Sequence, residues 1–285
     1  MRRSHGRAVR FEHHSPAAAG PQRVRALFLS DVHLGSRSCR GDRFADFLRH
    51  YRADTIYLVG DIVDGWRLSA HWYWPSTHSD VLLQLLNAAL QGSKVVYVPG
   101  NHDAFLRDYC GVHFGGIEVC ESAVHRGADG RRYLVIHGDH FDKMMDRAQG
   151  FAALGHRANR AALAVNAALN RVRRAMGLPY WPMTQWAKSK FKKAINYIGD
   201  FEKALADVAK EHGVEGVICG HIHHAVIHEN FGVRYINCGD WIESCTAVAE
   251  HQSGEFEILE WMDRKLQTER AMSLQETSMQ EAGTG

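Results

Sequence analysis

An α/β fold, one domain carrying a single helical insert, is what the sequence predicts, and three observations predict it. Short β-branched and aromatic runs alternate with amphipathic segments, the runs end at Gly, Asp or His, and after about Arg234 the alternation gives way to strands alone. With 285 residues, 45% of them hydrophobic, the chain can bury a large core, which rules out collagen-like, disordered and mini-protein architectures.

Taken in order, residues 24–30 (VRALFLS), 55–59 (TIYLV), 94–98 (KVVYV), 133–137 (YLVIH) and 214–219 (VEGVIC) read as buried strands. Between the first three, residues 42–53 and 79–91 place apolar side chains at helical spacing, as in Phe44, Phe47, Leu48 and Tyr51, so the first third is β-α-β-α-β over a parallel or mixed sheet. The runs RYINCGDW, TAVAEH and EFEILEW close the fold as short strands. The expected organisation is a flexible N-terminus over 1–22, one domain over 23–262 with a helical lid insert over about 141–200, and a flexible tail over 263–285.

The net charge of +2 gives no reason to expect a nucleic-acid partner. Six cysteines lack C-x-x-C spacing and several sit in apolar runs, so free thiols in a reducing compartment are expected. Residues 1–20 are Arg-rich without the apolar stretch of an export signal, and no segment reaches the roughly 18 to 20 apolar residues of a membrane span. The expected location is therefore cytoplasmic. Histidine is the outlier, with 19 in the chain, and imidazole is the commonest metal ligand.

The chemistry sits where the strands end. Asp31-Val32-His33 follows the first, Gly60-Asp61-Ile62-Val63-Asp64 the second and Gly100-Asn101-His102-Asp103 the third; His137-Gly138-Asp139 closes the fourth and Gly220-His221-Ile222-His223-His224 the fifth. The carboxyl ends of strands in an α/β sheet share one edge, so these residues converge although they are far apart in sequence. In D-x-H and H-x-H, alternate residues leaving a strand point the same way. Any one block alone would be an ordinary turn or helix cap, but five in succession would not. Carboxylate, imidazole and amide oxygen suit borderline divalent ions, and seven such side chains exceed what one ion uses, which fits a pair sharing a bridging carboxylate. The remaining histidines, His50, His78, His125 and His228 among them, are expected on the surface.

Together the blocks resemble those of the calcineurin-like binuclear metallophosphoesterases, which run D-x-H, G-D-x-x-D, G-N-H-[DE], H-G-D and G-H-x-H in this order, over residues 26–241 here. The resemblance implies a sandwich of two mixed β-sheets flanked by helices. It implies one ion on Asp31, His33, Asp61 and His223 and a second on Asp61, Asn101, His137 and His221, with Asp61 bridging. Two divalent ions are expected, manganese first, with iron or zinc as alternatives. His102 would protonate the leaving oxygen or steady the phosphoryl charge, Asp64 would hold its imidazole as a cation, and a metal-bridging hydroxide would attack phosphorus.

Within that superfamily the chain is most similar to the UDP-2,3-diacylglucosamine pyrophosphatases of lipid A biosynthesis, which also carry a helical insert between H-G-D and G-H-x-H and a Trp shortly after the G-D block, as Trp66 is here. The implied reaction releases UMP and an acylated sugar phosphate. The third block departs from that family, reading G-N-H-D where G-N-R-D is common. The alternative is a soluble phosphodiesterase, nuclease or phosphatase acting on another nucleotide or phospholipid. Between Arg157 and Lys193 there are nine basic residues and no acidic one, interleaved with Tyr180, Trp181 and Trp186. That pattern suits an anionic membrane surface, placing the protein peripherally on the inner face of the cytoplasmic membrane, or else a solvated helical hairpin. Arg37, Trp66, Lys188, Lys192 and His224 are the candidate substrate contacts.

Overall fold

The computed structural model describes residues 20–141 and 184–261, with side chains from 197 onward in the second stretch. Residues 1–19 of the N-terminal tail expected over 1–22, the tail expected over 263–285, and residues 142–183 of the expected insert, with Arg157, Tyr180 and Trp181, lie outside the described residues. The N-terminal half runs β1 (Gln22–Leu29), α1 (Gly41–His50), β2 (Tyr51–Val59), α2 (Gly65–Ala70), α3 (Ser76–Leu90) and β3 (Lys94–Val98). A 3-10 turn (Ala104–Tyr109) leads to β4 (His113–Phe114), β5 (Ile117–Val119), β6 (Ala123–Arg126) and β7 (Arg132–Val135). After α4 (Thr184–Glu211) come β8 (Gly216–Cys219), β9 (Val226–His228), β10 (Arg234–Asn237), β11 (Thr246–Glu250) and β12 (Phe256–Glu260).

These strands form two mixed sheets. One has the order β12-β11-β1-β2-β3-β5-β4, the other β6-β7-β8-β10-β9. The centre of each is parallel, β1-β2-β3-β5 in the first and β7-β8-β10 in the second, with antiparallel strands outside. Pleating sorts the core. Leu27 and Leu29 of β1 face α1 and α3 in a cluster with Phe44, Phe47, Val81, Leu85 and Trp241, whereas Ala26 and Phe28 point the other way, into a layer shared with Tyr133, Val135, Ile218 and Ile236 of the second sheet. On the far face of that sheet, Phe201, Leu205, Ala206 and Ala209 of α4 pack on Leu134, Val217, Cys219 and Tyr235. The outcome is a four-layer α/β/β/α sandwich.

Register aligns the functional edge. Leu29 pairs with Leu58 and Val59 with Val98, so β1, β2 and β3 stop together, and in the second sheet Val135 pairs with Ile218 and Cys219 with Asn237. The expected helix over 42–53 is corrected: α1 ends at His50 and β2 starts at Tyr51. Tyr51 and Ala53 are buried while Arg52 and Asp54 are exposed, a two-residue alternation that pairs with β1 from Gln22 and overrides the helical spacing. Two histidines expected on the surface are buried as well. His78 takes the backbone N–H of Gly35 on its Nδ1 (3.1 Å), and His125 lies between the sheets.

His125 belongs to a polar bridge at the end of the sandwich away from the strand carboxyl termini. Glu250, fully buried at the end of β11, meets His125 Nε2 (2.8 Å), Arg25 Nε (3.0 Å) and the Ala128 N–H (2.7 Å). Burial would push this carboxyl up, but those partners hold it below the usual glutamate value. A carboxyl lowered in the folded state stabilises fully above its unfolded pKa, about 4.3, and loses that contribution as the pH falls through the lower folded value. Glu250→Gln should therefore cost about 2 kcal/mol at pH 7, and denaturant melts should show the gap from wild type narrowing toward pH 3. A gap independent of pH would contradict the bridge.

Candidate metal centre

Each strand of the parallel centres hands its last residues to a tight turn, and the turns are strained where the chemistry lies. Asp31 (φ 53°), His33 (54°), Asp61 (54°), His221 (73°) and His223 (53°) all adopt the left-handed region that side chains with a Cβ avoid. Hydrogen bonds between turns hold them there. The D-x-H and G-D-x-x-D loops zip together through Asp31 N–H to Gly60 O (3.1 Å), His33 N–H to Asp61 O (2.9 Å) and Leu34 N–H to Ile62 O (2.8 Å). The two sheets are tied at this edge by the His221 N–H to Asp31 Oδ2 (3.0 Å) and by the Trp241 N–H to Asp31 O (3.0 Å).

Asp103 fastens the G-D-x-x-D loop to the G-N-H-D loop. Fully buried, its carboxylate receives the N–H groups of Gly100 (2.6 Å), Asp61 (3.2 Å), Ile62 (2.7 Å) and Val63 (3.3 Å) and the Tyr97 hydroxyl (2.6 Å). Burial pushes this carboxyl up, with the nearby Asp61 carboxylate adding to the rise, while the bonds from Tyr97 and Gly100 pull it down; burial likewise pushes up the Tyr97 phenol. Beneath the histidine turn, Asn237 Nδ2 donates to Gly220 O (2.7 Å), while Ser30 Oγ donates to Gly239 O (2.9 Å).

Asp61 is central. Its Oδ2 lies 3.4 Å from His137 Nε2, 3.9 Å from His33 Nε2 and 4.0 Å from His102 Nε2, and its Oδ1 accepts the His102 N–H (2.8 Å). His33 Nε2 is also 4.0 Å from Asp31 Oδ1, which lies 3.2 Å from His223 Nε2. Among the described residues, three groups offer ligand atoms within 4.8 Å of one another: Asp31 with His33 and His223, Asp61 with His137 and His221, and His33 with Asp61 and His102. The first two fall within the ligand sets expected from the sequence, and the third brings His102 within reach of the same centre. Gly100 is required here, since a Cβ on it would stand 2.3 Å from Asp61 Oδ1.

The donor set fits cations. Asp31 Oδ1, His33 Nε2, Asn101 Oδ1 and His137 Nε2 are buried side-chain atoms without a hydrogen-bond partner, an arrangement costing about 1 to 3 kcal/mol per group unless something else satisfies them. His137 Nδ1 faces the Val59 carbonyl (2.9 Å), which only accepts, so Nδ1 carries a proton, and Nε2, 3.4 Å from Asp61 Oδ2, is the nitrogen that would give up its proton to Asp61's side of the centre and turn its lone pair to an ion on binding. Burial works against charge on both Asp31 and Asp61, but the neighbouring imidazoles, His223 first for Asp31 and His137 first for Asp61, hold both carboxyls below the ordinary aspartate value.

The other candidate residues surround this centre. Asp64 Oδ1 accepts from His102 Nδ1 (3.0 Å), caps α2 through the Arg67 N–H (3.0 Å), and its Oδ2 lies 3.6 Å from His33 Nδ1. Trp66, 59% exposed, lays its ring over His102 with centroids 4.1 Å apart. Arg37 is exposed with its guanidinium 4.7 Å above the Tyr73 ring, and His224 is exposed. Lys188 and Lys192 lie on α4, but their side chains are outside the described residues. The sequence assigns no role to Asp103 or Phe201, whereas Asn237, which follows a strand and is expected to support the metal edge without being a ligand, holds the Gly220 turn. Of the first two, only Asp103 left a signal, the acidic residue that ends its own block.

An edge of carboxylates and imidazoles from two sheets, arranged about one shared aspartate, defines a metal-dependent phosphoesterase. The chain matches the calcineurin-like phosphoesterase family over residues 24–225 and belongs to it. Among curated proteins it is 26% identical to a UDP-2,3-diacylglucosamine hydrolase of Aliivibrio fischeri over 75% of this chain and 90% of that protein. It is 30% identical to a DNA polymerase II small subunit of Methanothermobacter thermautotrophicus over 44% of this chain, a match spanning only 32% of that subunit. A solved Vps29 single mutant from Entamoeba histolytica aligns over 83% of this chain and 99% of that one at 14% identity and a TM-score of 0.38.

Asp103→Asn would set an amide against the donors that now converge on one carboxylate. Isothermal titration of the folded variant with Mn2+ should show cation affinity lowered about 10- to 100-fold, with far-UV circular dichroism unchanged; wild-type affinity would contradict the fastening role.

Proposed function

We propose that this phosphoesterase hydrolyses the diphosphate of a UDP-2,3-diacylglucosamine-like lipid nucleotide, releasing UMP and an acylated sugar phosphate. The observation that carries the substrate class is the extent of likeness to UDP-2,3-diacylglucosamine hydrolases, which runs through 90% of the length of the Aliivibrio fischeri protein and 91% of that from Stenotrophomonas maltophilia. The long segment between the H-G-D and G-H-x-H blocks adds support, since it stands where the resemblance implies a helical insert.

In this reading Asp31, His33, Asp61 and His223 hold one divalent ion and Asp61, Asn101, His137 and His221 the other. When bound, such a pair neutralises phosphoryl oxygens and draws the pKa of water toward neutrality. Manganese is the ion proposed, with iron or zinc as alternatives. The chain's own residues do the rest. Asp64 fixes the His102 imidazole through Nδ1, leaving Nε2 turned toward the centre to give its proton to the departing oxygen. Trp66 covers one face of that ring, shields it from water and offers the substrate a flat apolar surface. Arg37 and His224 stand exposed near the edge as contacts for phosphate or sugar.

No helix among the described residues is long and apolar enough to cross a membrane. The lysines at 188, 190, 192 and 193, all on the first half of α4, supply the proposed attraction to an anionic bilayer, each worth about 1 kcal/mol near headgroups.

With saturating Mn2+, the protein should release UMP from UDP-2,3-diacylglucosamine, and His102→Ala should lower kcat by about 10²- to 10⁴-fold while both cations still bind. Turnover of bis(p-nitrophenyl) phosphate without any product from the lipid nucleotide would sink the substrate and leave the phosphoesterase. In co-sedimentation with vesicles containing anionic lipid, replacing the four lysines by alanine should abolish binding. Retained binding would remove the bilayer as partner.

A further inference from the structure

Phe201 lies in none of the sequence blocks, yet it touches one of the candidate ligands. It is fully buried on α4, its ring 5.8 Å from that of His221 at an interplanar angle of 33°. The approach depends on Gly138 (φ 110°), where a Cβ would come within 2.8 Å of Phe201 Cζ. Tyr197, one helical turn earlier, stacks on Phe201 at 6.4 Å and 18°. On the other partner's side, the His137 ring meets His221 edge-on at 5.2 Å and 76°.

The backbone of His221 is fixed by its bond to Asp31 and by its left-handed turn, but the torsion that turns an imidazole about its Cβ–Cγ bond is broad and soft. A ring packed against the imidazole limits that rotation, and Phe201 supplies one. Leu205, Ala206 and Ala209 continue the same face of α4 into the core cluster under β7, β8 and β10, so Phe201 is the point where that face reaches the metal edge.

We propose that Phe201 is a positioning residue whose ring, seated over Gly138, sets the His221 imidazole for the cation held with Asp61, Asn101 and His137. This rests on the binuclear ligand assignment above. It links α4 to occupancy of one cation site, and the link is reciprocal: whatever displaces the helix weakens that cation, and the bound cation holds the helix in place.

The test is a Mn2+ titration of the full-length, cation-free protein by calorimetry, with the bound metal counted by elemental analysis. Wild type should take up two equivalents. Phe201→Ala should weaken one of them about 10-fold or more and spare the other, and Phe201→Leu, which refills most of the space and secures the fold, should weaken the same one to a smaller degree. Leu205→Ala, a comparable loss from the same buried face away from the edge, should keep both at wild-type affinity. Two equivalents at wild-type affinity in both Phe201 variants, or the same loss in Leu205→Ala, would overturn the positioning role. Failure of the binuclear assignment would show in wild type itself, as uptake of fewer than two cations, and would overturn the proposal with it.

Discussion

The carboxylate of Asp103 is the constraint on which the rest of the centre depends. It gathers the N–H groups of Gly100, Asp61, Ile62 and Val63 with the Tyr97 hydroxyl, so the turns after β2 and β3 cannot move independently. The left-handed conformation of Asp61 is held from that side, and Asp61 in turn lies among His33, His102 and His137. A buried carboxyl that collects five hydrogen bonds holds the two turns together as long as every donor stays in place. The cost of preparing the centre is therefore met by the fold, before any ligand arrives.

The same logic accounts for backbone strain in residues bearing the ligands. Left-handed Asp31, His33, Asp61, His221 and His223 each give up about 1 to 3 kcal/mol, and the loop-to-loop bonds around them supply the restraint. Strain and convergence come together because parallel strands ending in register leave very short paths between neighbouring carboxyl termini.

Much of this was legible in the sequence, because strand runs ending in D-x-H, G-D-x-x-D, G-N-H-D, H-G-D and G-H-x-H give both the sheet edge and its chemistry. Periodicity located β1, β3, β7, β8, β11 and β12 to within two residues, gave no sign of the short β4, β5, β6 and β9, and failed at 42–53, where Tyr51 and Ala53 satisfy helical spacing and strand alternation alike and only pairing with β1 decides. His78 and His125 looked like surface residues because burial of an imidazole depends on partners distant in sequence, the Gly35 N–H for one and Glu250 for the other. Phe201 was silent for a related reason. An aromatic on an amphipathic helix reads as core, and nothing local reveals that one turn of that core ends against an imidazole.

The two sheets are joined by unlike fasteners at opposite ends. At the strand carboxyl termini, residues of both sheets converge on sites for cations, and at the other end Glu250 and His125 cross the gap as a buried polar pair. Each fastener answers to a different reagent, a chelator for the first and acid for the second. Amide exchange in β1, which runs from one end to the other, would consequently quicken from the Leu29 side under metal starvation and from the Arg25 side under acidification, so a single strand registers which of the two has been released.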